Sequence, residues 1–345
     1  MNDPTIQWRP YEPSMWASYR SFAERNFGAN SYQARESFLQ WLYIDDPHAA
    51  SDYKDFLVGV ANERVVGCMH KMRISWRIDG VEVSVPAVHD LMVDPEYRSG
   101  LGAMLMLAAL RKEEHAFIAG TVGDVSLMYE KIGCQPLQTF WGRRMLSPLS
   151  GALSWAITKA RRGSDDGVRL PSGLRENGGT SMLITTAPTD AELKAIANAM
   201  QKRRSNTPSP AWSSETLRWR FFSEHGPKHL LVLSDGEDGF ADFLIFSLGP
   251  HHGLSVVRLL EASTSTSQNF ASLLNAHTKT LRQFGAHVLL VYSADPSTID
   301  GLQRAGIRAI DNPPRSFLYH RNKKKPFAHY AIPAAAADFG LEAIR

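Results

Sequence analysis

The sequence predicts a mixed α/β protein made of two related domains, and three observations lead to this prediction. Apolar, β-branched runs typical of strands alternate with amphipathic segments typical of helices. The order of these segments starts again after residue 180, which indicates an internal repeat. The chain has 345 residues, enough for about two domains of roughly 100–200 residues each.

The first half is predicted to start with one strand, two amphipathic helices and a set of antiparallel strands. These elements are a strand at 5–11, helices at 14–27 and 33–43, and strands at 56–61, 65–69, 72–78 and 81–85. Asp79-Gly80 separates the last two strands and is a strong signal for a tight hairpin turn. Strands at 88–93, 117–121 and 137–145 then alternate with helices at 101–115 and 125–132. An antiparallel set followed by this alternation predicts a mixed sheet.

The second half repeats the same order of elements after a segment rich in turn formers. The predicted elements are strands at 181–186, 230–233, 243–248, 256–261, 288–292 and 315–320, and helices at 190–203, 269–284 and 299–305. A further helix carries Trp219 at the place where the first half has Trp41. We therefore expect domains at 1–147 and 181–322, a linker at 148–180, and a C-terminal tail at 323–345.

Composition argues against several classes of protein. The net charge of +3 gives no reason to expect a nucleic-acid partner. The two cysteines, Cys68 and Cys134, have neither a disulfide framework nor metal-ligand spacing, so we expect a cytoplasmic protein without a bound metal. The N-terminus lacks the features of a signal peptide, and no apolar run reaches the roughly 18 residues of a membrane span.

The most informative segment runs from residue 88 to residue 103. A predicted strand leads through a glycine-containing loop directly into an apolar helix. The loop and the start of the helix consist of Arg98, Ser99, Gly100, Leu101, Gly102 and Ala103. Glycines let backbone amides approach a ligand closely, and a helix N-terminus favours negative charge. The segment therefore predicts a seat for a phosphate-bearing cofactor, and His89 and Asp90 just before it are candidate acid–base groups.

Two motifs in the first half resemble the GNAT acyltransferase superfamily. Its signature is an Arg/Gln-x-x-Gly-x-Gly/Ala loop after the fourth strand, often preceded by Pro-x-Tyr-Arg. The chain has Pro95-Glu96-Tyr97-Arg98-Ser99-Gly100-Leu101-Gly102-Ala103, with the arginine one residue closer to the glycines. Tyr129-Glu130-Lys131-Ile132-Gly133 is similar to a second segment of that superfamily, and the two motifs occur in its order. Trp41 and Trp219, each on a helix before a strand, resemble the tandem GNAT proteins of bacterial polysaccharide gene clusters.

The resemblance implies an N-acyltransferase that moves an acetyl or other acyl group from acyl-CoA to an amine by direct attack. It implies that Tyr129 protonates the departing thiolate and that the loop from Arg98 to Ala103 binds the pyrophosphate. Leu91, Met92 and Val93 would line the thioester, with a backbone N–H of Met92 or Val93 stabilising the oxyanion.

The choice of base stays open between two neighbouring residues. His89 resembles the histidine of His-x-Leu-x-Val segments, where it transfers protons, and Asp90 is its rival. Adjacent strand residues point to opposite faces, so both can face the thioester only if a bulge intervenes.

The second half lacks a glycine and a cation in the loop at 262–268, so we expect only the first half to hold an anion. The second domain is then expected to bind a small amine acceptor, such as an amino sugar of polysaccharide biosynthesis, or to form a homodimer. Two alternatives remain: a non-catalytic binding or assembly protein, and an acyltransferase with acyl-carrier protein or aminoacyl-tRNA as donor.

Overall fold

The structure, a computed structural model, describes residues 6–47, 52–98, 100–121, 123–152, 170, 173–177, 182–251, 254–321 and 330–337. The chain divides into two compact units that are not contiguous in sequence. Unit 1 comprises Met1–Ser75, Val83–Leu137 and Pro314–Pro326, and unit 2 comprises Trp76–Glu82, Gln138–Pro313 and Phe327–Arg345.

Strands and helices are numbered in chain order. The strands are β1 (Gln7–Pro10), β2 (Phe56–Ala61), β3 (Arg64–Ile78), β4 (Val81–Val93), β5 (His115–Thr121), β6 (Gln135–Pro136), β7 (Phe140–Met145), β8 (Arg175–Asn177), β9 (Met182–Thr185), β10 (Ser209–Pro210), β11 (His229–Asp235), β12 (Ala241–His251), β13 (Leu254–Ser263), β14 (Val288–Ser293), β15 (Arg308–Ala309) and β16 (Arg315–His320). The α-helices are α1 (Trp16–Phe27), α2 (Glu36–Tyr43), α3 (Leu101–Leu110), α4 (Gly123–Lys131), α5 (Asp190–Arg203), α6 (Ser214–Phe222), α7 (Ser267–Gln283) and α8 (Pro296–Arg304).

Unit 1 is built on a mixed sheet with the strand order β1-β2-β3-β4-β5-β16-β6. β2 pairs antiparallel with β1 and β3, whereas β4 pairs in parallel with β5. Asp79 and Gly80 have φ values of +52° and +78°, the two positive angles of a tight hairpin turn between β3 and β4. The predicted hairpin is therefore confirmed. An apolar cluster containing Val88, Met106 and Ile118 forms part of the core of this unit.

Unit 2 repeats this architecture with the order β15-β7-β14-β13-β12-β11-β9-β8. Its β13 and β14 pair in parallel, as β4 and β5 do, and helix α7 lies between them in the chain as α3 does in unit 1. Trp41 and Trp219, the pair that suggested the repeat, are both buried. The prediction of two related mixed-sheet domains is confirmed.

Each sheet also includes strands from the other part of the chain. The sequence analysis placed the strand at 137–145 in the first domain, but β7 pairs antiparallel with β14 of unit 2. It placed the strand at 315–320 in the second domain, but β16 pairs antiparallel with β5 of unit 1. Both assignments are wrong, because the order of elements along a chain does not determine which of two like sheets a strand joins.

In two places the structure has one long strand where the sequence predicts two shorter ones. β3 runs through His70 and Lys71, where the sequence suggested a break at two polar residues. Both are buried because each has polar partners: His70 contacts two tyrosine hydroxyls, and Lys71 lies 2.8 Å from a carboxylate oxygen of Glu113. β4 likewise continues through Pro86, joining the predicted strands at 81–85 and 88–93. Among the described helices, none combines the length and apolar character needed to cross a membrane.

Candidate active site

The sheet of unit 1 opens between β4 and β5. Ala87–Val88 pairs in parallel with Phe117–Ile118, and within the described residues no further pair joins the two strands. β4 nevertheless continues to Val93 and β5 to Thr121. We call this opening the wedge. Backbone groups of β4 that face the wedge are not used by β5 and remain available to a ligand.

His89 and Asp90 lie where the wedge begins, and their side chains contact each other. Asp90 has a φ of +51°, in the left-handed region that residues with a side chain rarely adopt. This conformation interrupts the alternation of side chains along β4, as a bulge does. As a result, Nδ1 of His89 and Oδ2 of Asp90 are 3.0 Å apart. The bulge required for both groups to share one site is therefore present.

Two further side chains hold the Asp90 carboxylate. The Tyr32 hydroxyl donates to Oδ2 at 3.1 Å, and Nε2 of Gln33 donates to Oδ1 at 2.9 Å. Burial raises the pKa of this carboxyl, but the hydrogen bond and charge of His89, together with the Gln33 bond, hold it below its ordinary value. Asp90 is therefore an ionised carboxylate in a buried place.

The His89 ring is enclosed by other rings. Its side chain is 2% exposed, and it lies parallel to the ring of His70 at 5.5 Å and edge-on to Phe38 at 6.5 Å. Nε2 of His89 is buried and has no hydrogen-bond partner among the described residues. Leaving a buried polar atom without a partner costs about 1–3 kcal/mol, so this nitrogen is a candidate for contact with a ligand or a reacting group.

His70 supports the site as a neutral ring. Its Nε2 is 3.0 Å from the Tyr19 hydroxyl and its Nδ1 is 2.9 Å from the Tyr43 hydroxyl. Burial and the nearby charge of His89 lower the pKa of His70 to about 3, although Asp90 acts in the opposite direction. Because both ring nitrogens are bonded to tyrosine hydroxyls and the ring is neutral near pH 7, His70 packs beside His89 as a fixed, uncharged neighbour.

The predicted anion seat falls at the start of α3. Gly100 precedes the helix and has a φ of +81°, which favours glycine. No side chain caps this helix start, so the N–H groups of the first residues of α3 remain available to donate to a ligand. Ser99 lies outside the described residues, and Leu101 is described only by its backbone, as the first residue of the helix.

The loop before α3 is fixed at both ends. The carboxylate of Asp94 accepts hydrogen bonds from Nδ2 of Asn26 at 2.6 Å and from Nη2 of Arg25 at 3.1 Å. Arg98 donates from Nε to the carbonyl oxygen of Val93 at 3.0 Å, and its side chain is otherwise exposed. Arg98 thus braces the end of β4 and keeps part of its guanidinium in solvent beside the helix start.

The remaining predicted contact residues lie on the facing parts of β4 and α3. Leu91 and Met92 are half-buried and Val93 is buried. A Cβ on Gly102 would lie 3.9 Å from Val93 and 4.0 Å from Leu91, and Ala103 next to it is half-buried. The small residues of α3 therefore let this helix pack closely against the end of β4.

Tyr129 lies on α4 within the apolar cluster that also contains Met106 and Ile118. It is 4% exposed, and its ring centre is 5.7 Å from that of Phe317. Burial, helped by the nearby thiol of Cys134, raises the pKa of the Tyr129 phenol. Tyr129 therefore stays protonated near neutral pH, as a proton donor must.

Sequence reasoning missed the partners of the candidate pair. Gln33 was expected to start a helix, Tyr32 was assigned to no element, and His70 was expected in a gap between two strands. The hydrogen bonds from Tyr32 and Gln33 to Asp90 span 58 and 57 residues of the chain, so no local pattern could reveal them. The one available signal was the run of apolar residues on both sides of His70, which favours a continuous buried strand.

Comparison with known proteins agrees with this geometry. Residues 7–136 match the family model of the acetyltransferase (GNAT) domain, a range that starts with β1 and ends with β6. No curated protein matches the chain.

Solved structures share the fold over most of the chain. N-myristoyltransferase from Saccharomyces cerevisiae with bound myristoyl-CoA is 13% identical, with a TM-score of 0.59 over 92% of this chain and 85% of that one. The same yeast enzyme with myristoyl-CoA and inhibitors is 12% identical, with a TM-score of 0.61 over 92% and 82%. A GCN5-related N-acetyltransferase from Anabaena variabilis is 12% identical, with a TM-score of 0.58 over 92% and 73%.

The wedge, the free start of α3 and the family match all fall in the same part of the chain. The two motifs that suggested the family in the sequence lie within the matched residues. The predicted enzyme class, an acyl-CoA-dependent N-acyltransferase, is confirmed at the level of the family. The first half of the chain carries an acetyltransferase domain of the GNAT superfamily.

Proposed function

We propose that the protein transfers an acyl group from acyl-CoA to the amine of a small acceptor, with His89 as the base. The observation that carries this proposal is the buried His89–Asp90 pair at the point where the wedge begins. One ring nitrogen of His89 is bonded to the carboxylate, and the other has no partner among the described residues. An alkylammonium has a pKa of about 10, so an acceptor amine must lose a proton before it attacks.

The bonding of the pair assigns a role to each residue. Nδ1–H of His89 donates to Asp90, which leaves Nε2 as the basic nitrogen. When Nε2 takes the proton of the amine, the carboxylate of Asp90 stabilises the imidazolium, and Tyr32 and Gln33 hold that carboxylate in place. Direct attack of the amine on the thioester then needs no covalent bond to the enzyme.

The oxyanion of the tetrahedral intermediate needs a backbone donor, and the geometry favours Val93. The carbonyl oxygen of Met92 faces β3, because it would lie 3.3 Å from a Cβ on Gly67. The amide of Asp94 also faces β3, since it donates to Val66. Backbone groups of successive strand residues point to alternate sides, so the N–H of Val93 points into the wedge.

The remaining parts of the site fit an acyl-CoA. The uncapped start of α3 supplies backbone donors for a pyrophosphate, with Arg98 beside it. Tyr129, whose phenol is protonated near neutral pH with or without burial, would give its proton to the departing thiolate.

We further propose that the acceptor is an amino sugar and that the enzyme acts in the cytoplasm in polysaccharide biosynthesis. In this proposal unit 2 binds the acceptor or forms a homodimer. The length of the acyl group is open, since two of the similar solved structures hold myristoyl-CoA and belong to a myristoyltransferase.

An amine and acyl-CoA screen tests the proposal. Acetyl-, octanoyl- and myristoyl-CoA are each mixed with a panel of amino sugars and simple amines. Release of the free CoA thiol is followed, and the N-acyl product is identified by mass spectrometry. We expect turnover with the native protein and a loss of about 10²–10⁴-fold in His89→Gln. Binding of acyl-CoA without any transfer would instead support a non-catalytic binding protein.

A further inference from the structure

Unit 2 contains a cavity of about 430 Å³ at the place that corresponds to the wedge of unit 1. β13 and β14 pair in parallel as far as Leu259–Val291 within the described residues, and β13 then continues to Ser263. The cavity lies where these strands end and α7 and α8 begin. Its volume falls within the range of about 300–1,000 Å³ that is typical of small-molecule sites.

Hydroxyl groups dominate the lining of this cavity. The hydroxyl residues are Thr207, the five consecutive residues Ser263–Ser267, Ser297 and Thr298. A hydroxyl can donate one hydrogen bond and accept two, and it rotates to suit its partner. Five of these hydroxyls already donate their proton within the protein, those of Thr264, Ser265, Ser267, Ser297 and Thr298. They therefore face a ligand as acceptors, which matches a ligand that carries several donating hydroxyl groups.

The arginines at the cavity are committed to the protein's own carboxylates. Nη2 of Arg203 lies 2.7 Å from Asp238 and 2.8 Å from Asp242. Nη2 of Arg204 lies 2.8 Å from Glu261, a buried carboxylate. Three carboxylates thus neutralise two guanidinium groups, so these arginines do not make the cavity an anion site.

The two helix starts at the cavity are also satisfied from within. The side chain of Thr266 caps α7, and the amide of Ser265 donates to Asp242 at 2.6 Å. Asp295 caps α8 by accepting from the amide of Ser297 at 3.2 Å. α3 of unit 1, by contrast, has no side-chain cap. An incoming phosphate would therefore meet two helix starts that are already capped, and the negative charges of Asp242 and Asp295 beside them.

Asp295 adds a charge that a cationic ligand can use. Its half-buried carboxylate lines the cavity and accepts hydrogen bonds from the hydroxyls of Ser297 and Thr298, at 2.9 and 2.7 Å to Oδ2. These neutral donors leave its negative charge in place, which favours an ammonium group nearby.

We propose that this cavity binds a small polyhydroxylated molecule of the size of a monosaccharide, and that it prefers an amino sugar to the matching neutral sugar. The serine and threonine hydroxyls bond the hydroxyl groups of the ring, and Asp295 faces the ammonium. This proposal rests on the proposed function in taking unit 2 as the part that binds the acceptor. Sugar binding is measured without acyl-CoA, so either proposal can fail while the other stands.

Saturation-transfer NMR on the full chain tests the site, with matched pairs of probes. The probes are glucose and glucosamine, galactose and galactosamine, and inorganic pyrophosphate as the anion. We expect saturable binding of at least one amino sugar, roughly two- to fivefold tighter than its neutral partner. Asp295→Asn should remove that difference while keeping the helix cap, because asparagine caps as well as aspartate.

Two changes at Thr207 complete the test. Thr207→Trp fills the cavity and should abolish sugar binding, whereas the isosteric Thr207→Val should weaken it roughly two- to tenfold by removing one hydrogen bond. Ser272→Ala, an exposed change on α7 outside the lining, should leave the affinity unchanged. The proposal is overturned if no sugar of the panel binds saturably at millimolar concentration, if pyrophosphate displaces the bound sugar, or if the Thr207 and Asp295 changes leave every affinity as it was.

Discussion

Asp90 shows how one backbone angle can create a site. Its positive φ brings its carboxylate to the His89 ring, although adjacent strand residues normally point to opposite faces. Strained backbone of this kind costs of order 1–3 kcal/mol and persists where the surroundings fix it. Here Tyr32 and Gln33 fix it from outside the strand.

The role of the Asp90 charge can be separated from its geometry. Asp90→Asn keeps a residue that tolerates positive φ and keeps an acceptor for His89, but it removes the negative charge. We expect kcat to fall about 10²–10⁴-fold while affinity for acyl-CoA stays unchanged, as kinetics and calorimetry would show. If Asp90→Asn retained most of the native kcat, Asp90 would have no part in stabilising the imidazolium.

At the scale of elements, α3 depends on an uncapped start and β3 on a buried histidine. The missing cap lowers the stability of α3 at any pH. The buried histidine lowers the stability of the protein only in acid, where the unfolded chain binds a proton that the folded ring excludes. Each of them therefore makes a prediction about stability as well as about function.

Changing Gly100 separates helix stability from ligand binding. Gly100→Asp places a carboxylate at the helix start, where its charge suits the helix N-terminus but occupies the predicted anion seat. We expect its affinity for acetyl-CoA to be at least about tenfold lower than that of Gly100→Asn, and its melting temperature to be no lower than that of Gly100→Asn. Asparagine serves as the control because it has the same shape, tolerates positive φ equally well and carries no charge. Equal affinity in the two variants would place the pyrophosphate elsewhere.

The stability of unit 1 should decrease in acid because of His70. Its pKa is about 3 in the folded protein and about 6.5 when unfolded, so the unfolded chain binds the extra proton between these values. The contribution of His70 is complete above pH 6.5 and is lost as the pH falls, at about 1.4 kcal/mol per pH unit.

Denaturant unfolding at pH 7.5 and at pH 5 measures this effect. His229 of unit 2 is also buried, with a pKa lowered to about 3 by burial and the charge of Arg220, so it should add a slope of the same sign. The pH dependence should be shallower in His70→Gln, and an unchanged slope would show that His70 is not neutral in the folded state.

For the whole molecule, the exchange of β7 and β16 makes each sheet depend on both parts of the chain. Phe317 and Leu318 of β16 are 0% and 1% exposed, so they belong to the core of unit 1 although they lie far along the sequence. The contiguous domains expected from the sequence cannot include them.

Cutting the chain tests this exchange. The fragment 1–147 lacks β16 and leaves β5 without that neighbour, so we expect it not to unfold cooperatively when heated. Co-expression with the fragment 148–345 supplies β16 and should restore a cooperative transition in circular dichroism. A cooperative, native-like melt of 1–147 alone would contradict the account.

The sequence reveals those parts of the protein that depend on local patterns. Hydrophobic periodicity predicts both mixed sheets, the Asp79-Gly80 turn predicts a hairpin, and the glycines near residue 100 mark the start of α3. The strand exchange and the hold of Tyr32 and Gln33 on Asp90 depend on contacts between distant residues, which a single sequence does not show. The sequence indicates that His89 and Asp90 can share one site only if β4 contains a bulge. It does not predict that bulge, because an aspartate is no signal for a positive φ in mid-strand.

The central claim is that the wedge of unit 1 seats the thioester beside His89. A crystal structure of the native protein soaked with acetyl-CoA or its non-hydrolysable analogue tests it most directly. We expect the pyrophosphate on the first amides of α3, and the thioester carbonyl within hydrogen-bond distance of the Val93 amide. A CoA bound in the hydroxyl-lined cavity of unit 2, or no CoA bound at millimolar concentration, would contradict the account.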